Sequence, residues 1–174
     1  MPQRHERGKT NMRVRPSARG LVLNESGEIL LLRAEDSAPV DPANPRLLHY
    51  WVTPGGGVKE GETAEAALTR ELREETGLVD VEIGRELWLR ELDLDLPKHG
   101  RVRSHERYFL CLSRETLTTS EFMTDSEREV IKETRWWPLD ELAASPEVVR
   151  PPAFVDLVRA VLADGPPPAP IRIA

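Results

Sequence analysis

Cysteine is almost missing from this chain of 174 residues. Cys111 stands alone, so no internal disulfide can form, and its place in the apolar run 108–112 reads as a buried strand thiol rather than a nucleophile. Long apolar runs are also lacking. No stretch approaches the roughly 20 residues that a membrane-spanning helix needs, and the polar, basic N-terminus has no apolar core of a secretion signal. Both absences point to a cytoplasmic protein. Positive charge is in deficit, with 24 Lys and Arg against 30 Asp and Glu and a net charge of −6, which argues against a general nucleic-acid binder. Internal repeats are absent too, and the length favours one domain with a sizeable core and no second domain.

What the chain does have is an organised stretch over residues 55–78. Pro54 and four glycines (Gly55, Gly56, Gly57 and Gly61) oppose regular structure, so its first half reads as a loop. The second half predicts a helix. Thr63 is its N-cap, Glu65 lies in the first turn, alanines and leucines supply propensity, and Gly77 ends it. The stripe that faces the core begins apolar with Ala64, Ala67 and Leu68, becomes acidic at Glu71, Glu74 and Glu75, and ends apolar at Leu78. Glu71 precedes the other two by three and four residues, so the three carboxylates crowd one face. Like charges at this spacing repel by roughly 0.2–0.5 kcal/mol per pair on an exposed helix. A divalent cation turns that cost into binding, since carboxylate oxygens suit Mg²⁺ and Mn²⁺ and a substrate phosphate commonly completes the shell. The plain alternative is a solvated acidic face with Arg70 paired to Glu74.

Gly56, then Glu62, then Arg70-Glu71-Leu72, Glu74-Glu75 and Gly77-Leu78 match every fixed position of the Nudix box, nine constrained positions across 23 residues. The stretch thus resembles the signature of the Nudix hydrolases. The resemblance implies an α/β fold, a single-domain α/β/α sandwich with a mixed β-sheet. It implies hydrolysis of a nucleoside diphosphate linked to another group, using Mg²⁺ or Mn²⁺. Carried over position by position, Glu71, Glu74 and Glu75 correspond to metal ligands and Gly55 and Gly56 to the backbone of the metal-binding loop. Arg70 corresponds to the residue that orients the glutamates, with Glu62 supporting loop and helix. An acidic protein that acts on anionic phosphates also needs a metal to screen the charge.

Around the box, residues 1–12 read as a disordered tail, 13–164 as the domain, and 165–174 as a loose proline-rich end. Residues 18–23 and 28–32 form strands joined by a turn at 24–27. Residues 35–45, with Pro39, Pro42 and Pro45, form a long loop of the kind that carries substrate specificity. Trp51 offers a ring for stacking a base, against the commoner role of a core aromatic. Residues 79–83, 86–96 and 101–112 continue as strands. Arg103, His105 and Arg107 share one face of the last, where they hold phosphates if that face looks into the cleft and are a solvated face otherwise. The acidic region 113–130 is where related proteins place a further metal ligand or general base, and Glu127 and Glu129 are the candidates. Residues 134–137 form a final strand, 138–144 a short helix, and 152–163 a terminal helix.

The chain therefore reads as a metal-dependent enzyme that cleaves a pyrophosphate bond in a nucleotide of the triphosphate, ADP-ribose or nucleotide-sugar class. Its partner is a small-molecule nucleotide, and a homodimer fits a domain this small. The other reading is a nucleotide-sensing Nudix module that binds without cleaving. Such modules typically lose box glutamates, and this chain keeps all of them.

Overall fold

Residues 21–23 and 29–32 are apolar at odd and even positions alike, so the strands they belong to must be covered on both faces. The computed structural model, which describes residues 12–174, meets that demand. Strands β1 (Arg13–Leu23) and β2 (Ile29–Glu35) form an antiparallel hairpin, followed by β3 (His49–Val52) and β4 (Gly55–Gly57). Helix α1 (Ala64–Thr76) leads to a second hairpin, β5 (Val81–Leu96) and β6 (Gly100–Ser113). Then come α2 (Asp125–Val130), β7 (Ile131–Trp137), α3 (Leu139–Ala144), β8 (Val149–Arg150), α4 (Phe154–Asp164) and β9 (Ile171–Ile173).

These strands make one mixed sheet in the order β8-β3-β2-β1-β6-β5-β9, with β4 paired to β1 and β7 to β2. The β1–β6 pairing is parallel over the whole of β1, and the two hairpins are antiparallel. Leu21, Leu23, Ile29 and Leu31 face one layer, where Leu142 of α3 and Phe154, Val158 and Val161 of α4 cover them. Ala18, Val22 and Leu30, on the opposite parity, face Ala64, Ala67, Leu68 and Leu72 of α1. The result is the α/β/α sandwich that the resemblance implies.

Helix α1 is bounded as its sequence dictates. The Thr63 side chain accepts from the Ala66 N–H, and Gly77 closes the helix in the left-handed conformation. Cys111 is fully buried, and burial pushes its thiol up to about 12.

The fold corrects several expectations. The glycine stretch is not wholly a loop, because Gly55–Gly57 pairs with β1. Bare glycines let the two backbones approach where a Cβ at Gly55 would collide with the Ala18 carbonyl. The C-terminal end is not loose throughout, since Ile171–Ile173 adds a parallel strand to the open edge of β5. The strand at 131–137 is followed by two more. Helix α2 is an element the acidic composition of 113–130 hid, and it forms around a capping box of Thr124 and Glu127. The expected N-terminal tail lies, but for Met12, outside the described residues. Among the described residues no helix is long and apolar enough to cross a membrane.

Candidate active site

The acidic turn of α1 meets the glycine segment of β4 edge-on, and the contact is built from the absence of side chains. A Cβ on Gly56 would lie 2.7 Å from the Glu71 carboxyl group, so only glycine leaves room for that carboxylate. Gly55, at φ +130°, holds a conformation that L side chains rarely adopt. Its N–H donates to Glu75 Oε2 at 2.7 Å.

Arg70 organises the rest. Its Nε and Nη2 grip both oxygens of Glu62 at 2.9 and 3.0 Å. Its Nη1 reaches Glu71 Oε1 at 2.7 Å and Glu74 Oε2 at 3.2 Å, and Nη2 also donates to the Gly57 carbonyl at 3.0 Å. One guanidinium fork thus ties three glutamates to the glycine segment. That grip, aided by the Lys59 N–H, pulls Glu62 down to about 2.

The carboxyls nearest the core behave in the opposite way. Burial raises Glu71 against the pull of Arg70. Glu75, 7% exposed, is pushed up to about 8 by burial and then by the charge of Glu71. These carboxylates are held close at an electrostatic cost that a cation would relieve.

Three oxygens converge, one each from Glu71, Glu74 and Glu127, all within 4.8 Å of one another. The third comes from α2, where Glu127 Oε2 accepts from Thr124 N at 2.6 Å and Thr124 Oγ1 at 2.8 Å. Of the two acidic candidates in this region, Glu127 therefore joins the cluster, whereas Glu129 is exposed and outside it. Glu75 stands behind the three, bonded to Gly55. A donor set of carboxylate oxygens at this spacing fits a hard divalent ion. A groove of about 690 Å³ runs past Arg70 and Glu74, floored by Leu78 and Phe122.

The other candidates lie elsewhere. Trp51 is 3% exposed, packs edge-on against Trp137 with ring centroids 5.1 Å apart, and donates from Nε1 to Glu147. Its ring has no face left for a base. Arg103 and His105 do share a face of β6 with Arg107, but a carboxylate of β5 lies beside each. Arg103 pairs with Asp93 at 2.9 Å, His105 lies 3.9 Å from Glu91, and Arg107 pairs with Glu86 at 2.7 Å. The register sets Asp93 opposite Arg103 and Glu91 opposite His105, with Glu86 diagonal to Arg107, so the side chains expected to hold phosphates stand against carboxylates of the sheet. Residues Asp41–Asn44 of the long loop wall a separate cleft of about 600 Å³ with Arg90 and Arg150, and Asp41 grips Arg150 at 2.6 Å.

Two residues escaped the sequence reading. Arg15 lays its guanidinium against Gly57, with Nη2 2.5 Å from where a Cβ would stand, and its side-chain hydrogen bond is to Ser17 Oγ at 3.0 Å. Among the described residues it has no carboxylate partner. Burial and then the neighbouring Arg19 lower its pKa. Arg19 donates to the Gly55 carbonyl at 2.7 Å. The available signal was a cation amid small and apolar residues, in Ala18-Arg19-Gly20-Leu21.

With this geometry in hand, comparison with known proteins is direct. The model of the NUDIX domain family matches residues 13–158. The RNA pyrophosphohydrolase of Caulobacter vibrioides is 33% identical over 145 residues, covering 79% of this chain and 77% of that protein. The crystal structure of a MutT protein from Methanosarcina mazei superposes with a TM-score of 0.63 at 20% identity, over 88% of this chain and 96% of that one. The C. elegans Ap4A hydrolase superposes at 0.58 with 18% identity, over 86% and 96%. Family model, sequence relative and fold agree with the box and its folded geometry: the chain belongs to the Nudix family.

Proposed function

We propose that this Nudix protein is a divalent-metal-dependent pyrophosphohydrolase, acting on a nucleoside diphosphate joined to a further group. The observation that carries this reading is the convergence of Glu71, Glu74 and Glu127 beside a glycine segment held by Arg70. Glu71, Glu74 and Glu127 would hold Mg²⁺ or Mn²⁺, and a bound ion of this kind acidifies water and neutralises charge on phosphate oxygens.

The protein's own groups account for the rest. Arg70 spreads one positive charge over Glu62, Glu71 and Glu74, which fixes their oxygens before any ligand arrives. Glu75 keeps the Gly55 backbone in place from behind. Arg15, a cation beside Gly57 with no acidic partner among the described residues, suits an anionic pyrophosphate and is assigned to bind it. The proton of the attacking water passes to a carboxylate of the cluster. Comparing pH–rate profiles of Glu71→Gln and Glu127→Gln separates the base from the ligands. Loss of one ionising limb marks the base.

The substrate is best sought on a panel of nucleoside triphosphates, oxidised triphosphates, ADP-ribose, a nucleotide sugar and a dinucleoside polyphosphate. RNA joins the panel because the Caulobacter relative is named an RNA pyrophosphohydrolase. Products resolved by chromatography identify both the substrate and the bond cleaved. Arg15→Gln should raise KM for the active member with a smaller effect on kcat. An unchanged KM removes Arg15 from the site.

A further inference from the structure

Arg19 lies within β1 with its side chain only 18% exposed, and Glu106 of the neighbouring strand β6 is 4% exposed. Burying two charges is costly unless their geometry is used fully. Here it is. Arg19 Nε donates to Glu106 Oε1 at 3.2 Å, while Nη1 points the other way, to the Gly55 carbonyl at 2.7 Å and the Thr53 carbonyl at 3.4 Å. Glu106 is itself fixed by the Tyr108 hydroxyl at 2.7 Å and by Arg90 at 3.5 Å.

A pair that only stitched β1 to β6 would be redundant. Those strands are already laddered from Arg13 and Val102 to Leu23 and Leu112. What Arg19 adds is its grip on the Thr53 and Gly55 carbonyls, at the entry to the glycine segment. Gly55 is consequently gripped at both polar atoms of its backbone, its N–H by Glu75 and its C=O by Arg19. A carbonyl oxygen has two lone pairs, and the bond from Arg19 uses one of them and fixes its direction.

We propose that Arg19, held by Glu106, is a positioning residue that fixes the Gly55 backbone against Glu75 and thereby sets how tightly the glutamate cluster binds a divalent cation. This rests on the reading of the cluster as a metal site. Partners one step removed from a metal typically change its affinity by about 10–100-fold when removed.

The test is a titration of Mn²⁺ alone into the full chain, with free Mn²⁺ followed by electron paramagnetic resonance and no substrate present. Arg19→Lys keeps the charge but loses the planar fork, and Glu106→Gln keeps the shape but loses the charge. Both should weaken Mn²⁺ binding by about 10-fold or more, with substrate KM near wild type at saturating metal. Arg107→Gln breaks a more exposed pair, made with Glu86 of β5 on the other face of the sheet, and should leave Mn²⁺ affinity unchanged. Folded variants that bind Mn²⁺ as tightly as wild type, or more tightly, overturn the proposal while leaving the metal site standing. A wild-type protein that binds no Mn²⁺ sinks the metal reading itself. If Arg19→Lys does not fold, Glu106→Gln decides. If neither folds, the pair is a structural tie and the proposal fails.

Discussion

Glu75 Oε2 accepts a hydrogen bond from the Gly55 N–H at 2.7 Å, fastening the last turn of α1 to the glycine segment 20 residues earlier. Helix and segment therefore behave as one unit, and a disturbance of either should reach the carboxylate cluster.

Gly55→Ala is the sharpest disturbance. A methyl group at φ +130° is strained and also meets the Ala18 carbonyl in the paired strand. Strain and overpacking together should cost about 2–5 kcal/mol, measured by urea denaturation. Gly61→Ala has the same sign of φ but nothing within 4 Å of the added carbon. It should cost less, about 1 kcal/mol from backbone strain alone. Equal losses would show that the close approach to β1 is unimportant.

How far the sequence could be read follows from the same residues. The helix was legible because Thr63, the apolar stripe and Gly77 are local signals, and the glutamates lie at fixed helical spacing. The pairing of Gly55–Gly57 was not, since it depends on Ala18 and Arg19, far away in sequence. Helix α2 is six residues long and buries none of them, so it leaves no apolar period to detect. Glu127 and Glu129 look alike in sequence, and only the turn of α2 aims one at α1. Trp51 and the cations of β6 were ambiguous for a related reason. Alternation tells which residues share a face but not what lies opposite it.

Glu127→Gln and Glu129→Gln form a matched pair. The first removes an oxygen charge from the cluster and should lower turnover by about 10²-fold or more. The second alters an exposed residue outside it and should leave turnover near wild type. Steady-state kinetics on the active substrate decides, and equal activities would exclude Glu127 from the site.

Arg70→Gln should uncouple Glu62, Glu71 and Glu74 at once. Without the fork, these three glutamates lose their common tether to the Gly57 carbonyl. Metal affinity or activity should fall by about 10–100-fold, read as the Mg²⁺ concentration giving half-maximal rate. A half-saturating concentration identical to wild type would mean that Arg70 does not order the ligands.

The metal-free protein should lose stability as pH rises. Glu75 ionises near its ordinary value of 4.5 when unfolded but only at about 8 when folded. The folded state thus holds the extra proton between those values, and stability present below about 4.5 is lost as pH rises toward 8. Glu62, lowered to about 2, acts in the opposite sense and only at acid pH. In chelator, melting temperature should decline from pH 5 to 8, and Glu75→Gln should flatten that decline. Mg²⁺ should also oppose it, because ligand carboxylates bind metal in their ionised form. A flat profile in wild-type protein would contradict the buried, protonated Glu75.

The most direct measurement is hydrolysis of the nucleotide panel by the wild-type chain and Glu74→Gln, each with Mg²⁺, Mn²⁺ or chelator, with products resolved by chromatography. Wild type should cleave a pyrophosphate bond in at least one member with either metal and not with chelator. Glu74→Gln should keep its fold and lose most of that turnover. Cleavage that persists in chelator, or a folded Glu74→Gln with wild-type rates at saturating Mg²⁺, would contradict a metal-dependent site on α1.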